Sequence, residues 1–383
     1  MQLGSMRTFC GAVAVGVVSL LGGVMVAGQG APAQNAQDTP TMTEDVFKSV
    51  VLLKGIPVDT FFDAMGMFAN AMGNDCTYCH SSTAAIDRAA FAVSTPRIVR
   101  ARQMIVMMNT INTNFFGGQR RVTCFTCHGG NQSPRSDPNL ALQYSTPPED
   151  PNVRDFPTDP RLSAAQVFDR YLEAIGGAQR LARLSSFAAE GTYSGFDTGF
   201  VKVPLEIFAK APGQYTTIVH MSGGNSVRAF DGRNGWMAGP DTPVPLVALT
   251  AGNLDRARLE AMLSFPASIG QAFSQWRVGR VVLGDAEVLV VQAAEAGQPV
   301  VNLYFDPSSG LLARLVRWTQ TPVGFVPTQI DYADYREVAG VKIPFHKTVT
   351  QTYMQVNIEL TTVRPNVPVD AARFAKPAPF RRG

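Results

Sequence analysis

Apolar positions recur along this chain in two rhythms, and the change falls near its middle. In the first part the rhythm is helical. From Pro57 the positions Phe61, Met65, Phe68 and Met72 follow at steps of four, three and four, which makes one face of an amphipathic helix that Gly73 ends. A second helix is expected from Arg97 to about Phe115, with Thr95 as cap, Pro96 at the first helical position, the stripe Met104, Met108, Ile111, Phe115, and Gly117-Gly118 as its stop. A shorter helix from Thr43 to Leu53 precedes them. Beyond Gly129-Gly130 comes a stretch rich in proline, from Pro134 to Pro160, which reads as a joining segment running extended along a surface. Ser163 and Gln166 form a capping box for one more helix, through Ile175 and closed by Gly176-Gly177.

After that helix the rhythm becomes that of strands. Runs at 204–210, 215–220, 278–283, 288–292, 300–305, 311–319, 328–335 and 341–353 alternate or are β-branched, and Gly, Asn, Asp and Pro turns separate them. Asp306 to Gly310 reads as a hairpin turn. The stretch from about 241 to 275 is more helical and is expected to cover one face of the sheet. The fold class is therefore mixed: an all-α N-terminal part, then an α+β domain with a curved antiparallel sheet.

Residues before 34 fit neither rhythm. Arg7, an apolar run from Phe9 to Ala27 and the small-residue site Ala31-Pro32-Ala33 read as an export signal over 1–33, and an uncleaved membrane anchor is the competing reading. The expected domains are then 34–135, a proline-rich linker over 136–160, and a β-rich domain over 161–383. With a formal charge of +3 on 383 residues, nucleic acid is not expected as a partner.

Cysteine usage brings in the chemistry. Cys10 lies in the signal, and the other four sit in two pentapeptides, Cys76-Thr77-Tyr78-Cys79-His80 and Cys124-Phe125-Thr126-Cys127-His128. Each reads as a c-type haem attachment site, in which two thiols add to the haem vinyl groups and the adjacent His coordinates iron. A zinc site using all four sulfurs would leave both His residues idle and is the competing reading. No cysteine remains for a disulfide, which suits haem attachment in an oxidising compartment. Two haem c groups are thus the expected cofactors, and the periplasm the expected location.

The sixth iron ligand separates electron carriage from small-molecule chemistry, and methionine sulfur favours the former. Here the stretch from about Lys54 to Gly130 resembles the haem-binding segments of the photosynthetic reaction centre cytochrome c subunit family, and more closely its dihaem members in non-photosynthetic bacteria. In that family each segment is a helix carrying the distal Met, a turn, then the pentapeptide. Met65 to Cys76 matches one segment. Arg102, Met104, Ile111-Asn112 and Val122-Thr123 match another. The resemblance implies His80 with Met65 and His128 with Met104 as axial pairs, against Met67, Met107 and Met108 as competitors and packing as the plain alternative. Only two of the family's usual four segments are present. His220 and His346 read as ordinary strand residues.

The run Tyr304 to Leu312 and then Asp331 to Phe345 is similar to periplasmic lipoprotein-carrier half-barrels. That resemblance implies a concave apolar face able to hold an acyl chain, a quinone-like molecule or a partner's segment, with Trp236, Trp276 and Trp318 as candidate lining. The expected function is periplasmic electron transfer through two His/Met haems, with redox proteins, membrane-bound ones included, as partners. The alternatives are a dihaem peroxidase, and a lipid- or partner-binding module with redox-sensing haems.

Overall fold

The computed structural model describes residues 39–381, apart from 86, 146–149, 151, 241 and 243. The export signal or anchor expected over 1–33 lies outside the described residues, as do Pro147, Pro148 and Pro151 of the joining segment.

The helices are α1 (Thr43–Val46), α2 (Val58–Met72), α3 (Pro96–Phe116), α4 (Cys124–His128), α5 (Leu140–Gln143), α6 (Ala164–Ala174), α7 (Ala178–Leu181) and α8 (Ala251–Ser264). Sequence signals set the ends of most of them. Thr95 Oγ1 accepts from the Ile98 amide and Pro96 opens α3, while Gly73 and Gly117 end α2 and α3 at φ of 60° and 58°. Ser163 and Gln166 cap α6 reciprocally, as expected. The expected helix from Thr43 to Leu53 is corrected: it ends at Val46. Thr43 donates to the Ile56 carbonyl from both its amide and its hydroxyl, and Met42 bridges Pro57, so the chain is drawn back toward α2.

The strands are β1 (Ser186–Gly195), β2 (Val203–Lys210), β3 (Gln214–Met221), β4 (Gly224–Phe230), β5 (Gly235–Ala238), β6 (Val247–Ala248), β7 (Gln275–Leu283), β8 (Ala286–Ala294), β9 (Val301–Phe305), β10 (Leu312–Thr321), β11 (Gly324–Val338), β12 (Val341–Gln351) and β13 (Gln355–Pro365). They make one antiparallel sheet of 13 strands in the order β6-β5-β4-β3-β2-β1-β13-β12-β11-β10-β9-β8-β7. Two meanders therefore meet at the β1–β13 pair. The fold is mixed α and β, with helices mainly in the N-terminal part and a large sheet that is not closed.

The sheet curls. Helix α8 packs against β3 and also against β10, six strand spacings away in the sheet order. Laid flat, that span would be roughly 29 Å, whereas a helix with its side chains is only about 10–12 Å across. The inner layer holds two apolar clusters, one around Leu303, Phe305, Leu315 and Ile330 and one around Leu205, Ile207, Phe230 and Leu360.

Two other contacts matter for the site. The turn between β10 and β11 supports α2 and α3: Val323 and Val326 pack with Met67, Ile105 and Met108. The segment before α6 is strapped across the outer face of the β7–β11 strands. Gln292 donates to the Arg154 carbonyl, Asn302 to the Val153 carbonyl, and Asn152 to Gln329, while Phe156 is buried beside Val288, Val290 and Trp318.

Candidate functional site: two Cys-x-x-Cys-His turns and a shared cavity

The first pentapeptide forms a single helical turn. Asp75 opens it by accepting from the Thr77 amide at 2.8 Å, and the His80 amide donates to the Cys76 carbonyl at 3.1 Å. That turn brings positions 76, 79 and 80 toward one side. The start of α3 holds it from behind: Thr95 Oγ1 donates to the Cys79 carbonyl at 2.6 Å, and Arg97 donates to the Tyr78 carbonyl at 2.7 Å while its guanidinium lies 4.1 Å from the Tyr78 ring centre. His80 meets the Phe91 ring edge-on at 5.0 Å. Burial lowers the His80 pKa, and its Nδ1 is buried with no hydrogen-bond partner among the described residues.

The second pentapeptide is α4 itself, capped reciprocally by Thr123 and Thr126 and closed by Gly129 at φ 54°. Asn112, buried on α3, fixes the approach to it. Its Oδ1 accepts from the Arg121 and Val122 amides at 3.0 and 2.9 Å, and its Nδ2 donates to the Val122 carbonyl at 2.7 Å. His128 Nδ1 lies 3.0 Å from the Asn131 carbonyl. A proton on Nδ1 makes that bond and leaves Nε2 with its lone pair, the tautomer a metal-ligating imidazole requires. The end of the second turn is tied to the end of α2, since the Gly130 amide donates to the Ala71 carbonyl at 2.9 Å.

This donor set fits covalent haem. All four cysteines are free thiols. Burial pushes the Cys76 and Cys79 thiols up, and Cys124 up to about 11, the opposite of what a reactive redox thiolate needs. The zinc alternative lacks its geometry: among the described residues no group of three or more His, Cys, Asp or Glu side chains is gathered to hold a metal.

The methionines sort by environment. Met67 is buried against the β10–β11 turn and Met108 is buried beside Ile105, so both serve packing, whereas Met107 is 45% exposed. Met65 and Met104 are half-buried. Met65 lines a cavity together with Cys76, Cys79 and His80, and Met104 does not reach that cavity. Of the expected α3 stripe, Met108 is buried, Met104 and Ile111 are half-buried and Phe115 is 76% exposed. The buried face of α3 instead runs Ile105, Met108, Asn112, one position round from the expected one.

The cavity, of about 1040 Å³, continues from the first pentapeptide into the curl of the sheet. Its far wall includes Tyr193, Ile330, Tyr332, Val349 and Val356. None of Trp236, Trp276 and Trp318 lines it, which corrects that expectation: Trp318 faces the strap on the outer face, and Trp276 packs on Phe168.

Charged side chains inside the molecule were not foreseen from sequence. Asp59 on α2 accepts from the Thr250 amide at 2.6 Å and the Thr250 hydroxyl at 2.7 Å, at the start of α8, and Asp63 accepts from Asn253 at 2.8 Å. Burial raises the Asp59 pKa and pushes Asp63 up to about 6. Arg317 is almost fully buried, donates to Thr319 at 2.8 Å, and is held down to about 10 by burial. Arg256 and Glu260 pair at 3.2 Å on α8. In the sequence this pair, four residues apart, looks like any solvated helix pair. His220, bonded to Glu206 and Asn225, and His346 are both strand residues.

Among known structures, the chain is similar to a LolA superfamily protein from Nitrosomonas europaea at 10% identity and TM-score 0.39, covering 56% of this chain and 98% of that one. It is also similar to a DUF1329 family protein from Desulfovibrio piger at 9% identity and TM-score 0.38, covering 55% of this chain and 96% of that one. Residues 24–144 match the family model for the photosynthetic reaction centre cytochrome C subunit. That span contains both pentapeptides, α2 and α3. By this match the segment carrying the two Cys-x-x-Cys-His turns is similar to the photosynthetic reaction centre cytochrome C subunit family.

Proposed function

We propose that this protein is an exported, periplasmic electron carrier. Cys76, Cys79 and His80 would hold one haem c and Cys124, Cys127 and His128 a second, with Met65 and Met104 as further ligands to the two irons. When bound, such a group supplies reversible one-electron chemistry at iron.

The observation that carries this reading is the His128 ring, whose Nδ1 is directed at the Asn131 carbonyl so that Nε2 is the free donor. The remaining residues have defined tasks. Asp75 and Thr123 cap the two turns that present the thiols, and Thr95, Arg97 and Asn112 hold those turns against α3. Met65 and Met104 are half-buried, and Met65, packed at the edge of the Met67–Ile105 cluster, also lines the cavity beside His80. Phe61, Phe68 and Phe91 exclude water from the first site, which raises a haem potential.

The test has two parts. On a haem-stained denaturing gel, Cys76→Ala/Cys79→Ala and Cys124→Ala/Cys127→Ala should each lose half the signal, and full staining of both variants ends the dihaem reading. Magnetic circular dichroism should show two low-spin His/Met haems, reduced to one in Met65→Ala and in Met104→Ala. A five-coordinate haem in the wild-type protein would point to an enzyme instead.

A further inference from the structure

The inward face of the sheet breaks its own apolar alternation on two strands. Along β12 the inward positions are Phe345, Lys347 and Val349, and along β4 they are Ser226, Arg228 and Phe230. A cation on an apolar inner face is costly to keep unless something answers it. Lys347 is half-buried, beside Tyr332 and Ile358 on the neighbouring strands. Its ammonium has no hydrogen-bond or ion-pair partner among the described residues; the Tyr332 ring centre lies 5.9 Å away, and Glu260 attracts it. It opens into the cavity.

Glu260 answers Arg256 at 3.2 Å and Asp63 faces Arg317, while Arg228 and Lys347 add two further positive charges. The cluster therefore offers donors to a head that carries acceptor oxygens. Most of the remaining wall inside the sheet is apolar and aromatic, and the 1040 Å³ is shared with the first haem, which would take the end lined by Cys76, Cys79 and His80. The same wall carries Met65, Cys79 and His80 at its other end.

We propose that the cavity is a binding site for a molecule of the long-chain quinone class, its oxygen-bearing ring against Lys347, Tyr332 and Glu260 and its hydrocarbon tail along Ile330, Val349 and Val356. The choice of a quinone over any other amphiphile with acceptor oxygens, a fatty acid included, rests on the electron-carrier reading, because it is the lipophilic molecule whose chemistry suits a neighbour that exchanges single electrons.

Equilibrium dialysis of the mature protein, with both haems attached, against decylbenzoquinone and against dodecanoate tests this. The expected result is saturable one-to-one binding of decylbenzoquinone, at least tenfold tighter than dodecanoate and weakened about tenfold by Lys347→Met. That variant places a side chain of similar length between Phe345 and Val349, and its thermal midpoint, expected to be no lower than the wild type's, establishes that it folds. No saturable quinone binding, tighter binding of dodecanoate, or equal binding by wild type and Lys347→Met would each overturn the proposal. Two low-spin haems without quinone binding remove this site and leave the carrier standing. Quinone binding beside a five-coordinate haem removes the carrier and, with it, the ground for preferring a quinone.

Discussion

Asn112 makes three hydrogen bonds to the backbone of residues 121 and 122 from a side chain that is nearly fully buried. Removing it takes that partner from the Val122 amide and carbonyl, while the Arg121 amide keeps the Gln119 carbonyl at 2.9 Å, so Asn112→Ala should cost about 1–3 kcal/mol in chemical denaturation, the range for a buried group left unpaired. Haem staining should fall at the second pentapeptide and not the first. Asp306 works in the same local way in the β9–β10 hairpin, where its carboxylate accepts from the Ser308 and Ser309 amides and is held down to about 2. A carboxylate whose folded pKa is depressed contributes stability above its unfolded pKa of about 3.9 and loses it as pH falls through the folded value. Between about pH 4 and pH 2 the wild type should therefore lose stability that Asp306→Ala never had, seen as a smaller difference between their unfolding midpoints at pH 2 than at pH 5.

At the scale of elements, the junction of α2 with α4 depends on one glycine. Gly73 has φ 60°, and a Cβ there would lie 2.3 Å from the Gly130 carbonyl oxygen, which cannot swing away as a flexible side chain would. Gly117 has nearly the same φ, 58°, but open space around it. Gly117→Ala should thus cost only about 1 kcal/mol, the strain of the left-handed conformation. Gly73→Ala adds a backbone clash and should cost about 3 kcal/mol or more by denaturant unfolding, with both haem sites affected. These helix ends were legible because caps, proline and glycine act locally. Strand β1 was missed for the opposite reason: Phe187, Ala188 and Ala189 are buried in succession between β2 and β13, and no alternation marks a strand covered on both faces. The interior charges were hidden too, since nothing in a run such as Phe345 to Val349 says which face of β12 will point inward.

For the whole molecule, the haem-bearing helices rest on the sheet rather than beside it. Met67, Ile105 and Met108 share an apolar cluster with Val323 and Val326, and Asp59 and Asp63 anchor α2 to the start of α8. A chain truncated after residue 160 should therefore expose that cluster and the two acids together, and should be recovered aggregated or with little haem, as size-exclusion chromatography with haem absorbance would show. A soluble truncated protein with a full haem complement would contradict this.

The seam between β1 and β13 joins positions far apart in the chain, Phe187 lying opposite Pro365. It gives the molecule a timetable. Before the residues of β13 are available, the two meanders have nothing to join them and each shows an unpaired strand flank, the feature most open to mispairing with another chain. The helical pentapeptide segments precede both meanders in the chain, yet α2 and α3 rest on Val323 and Val326 of the second meander, so their support too arrives late. The late seam thus acts as a latch: the cavity wall that Tyr193 and Val356 share is complete only once β13 has joined β1.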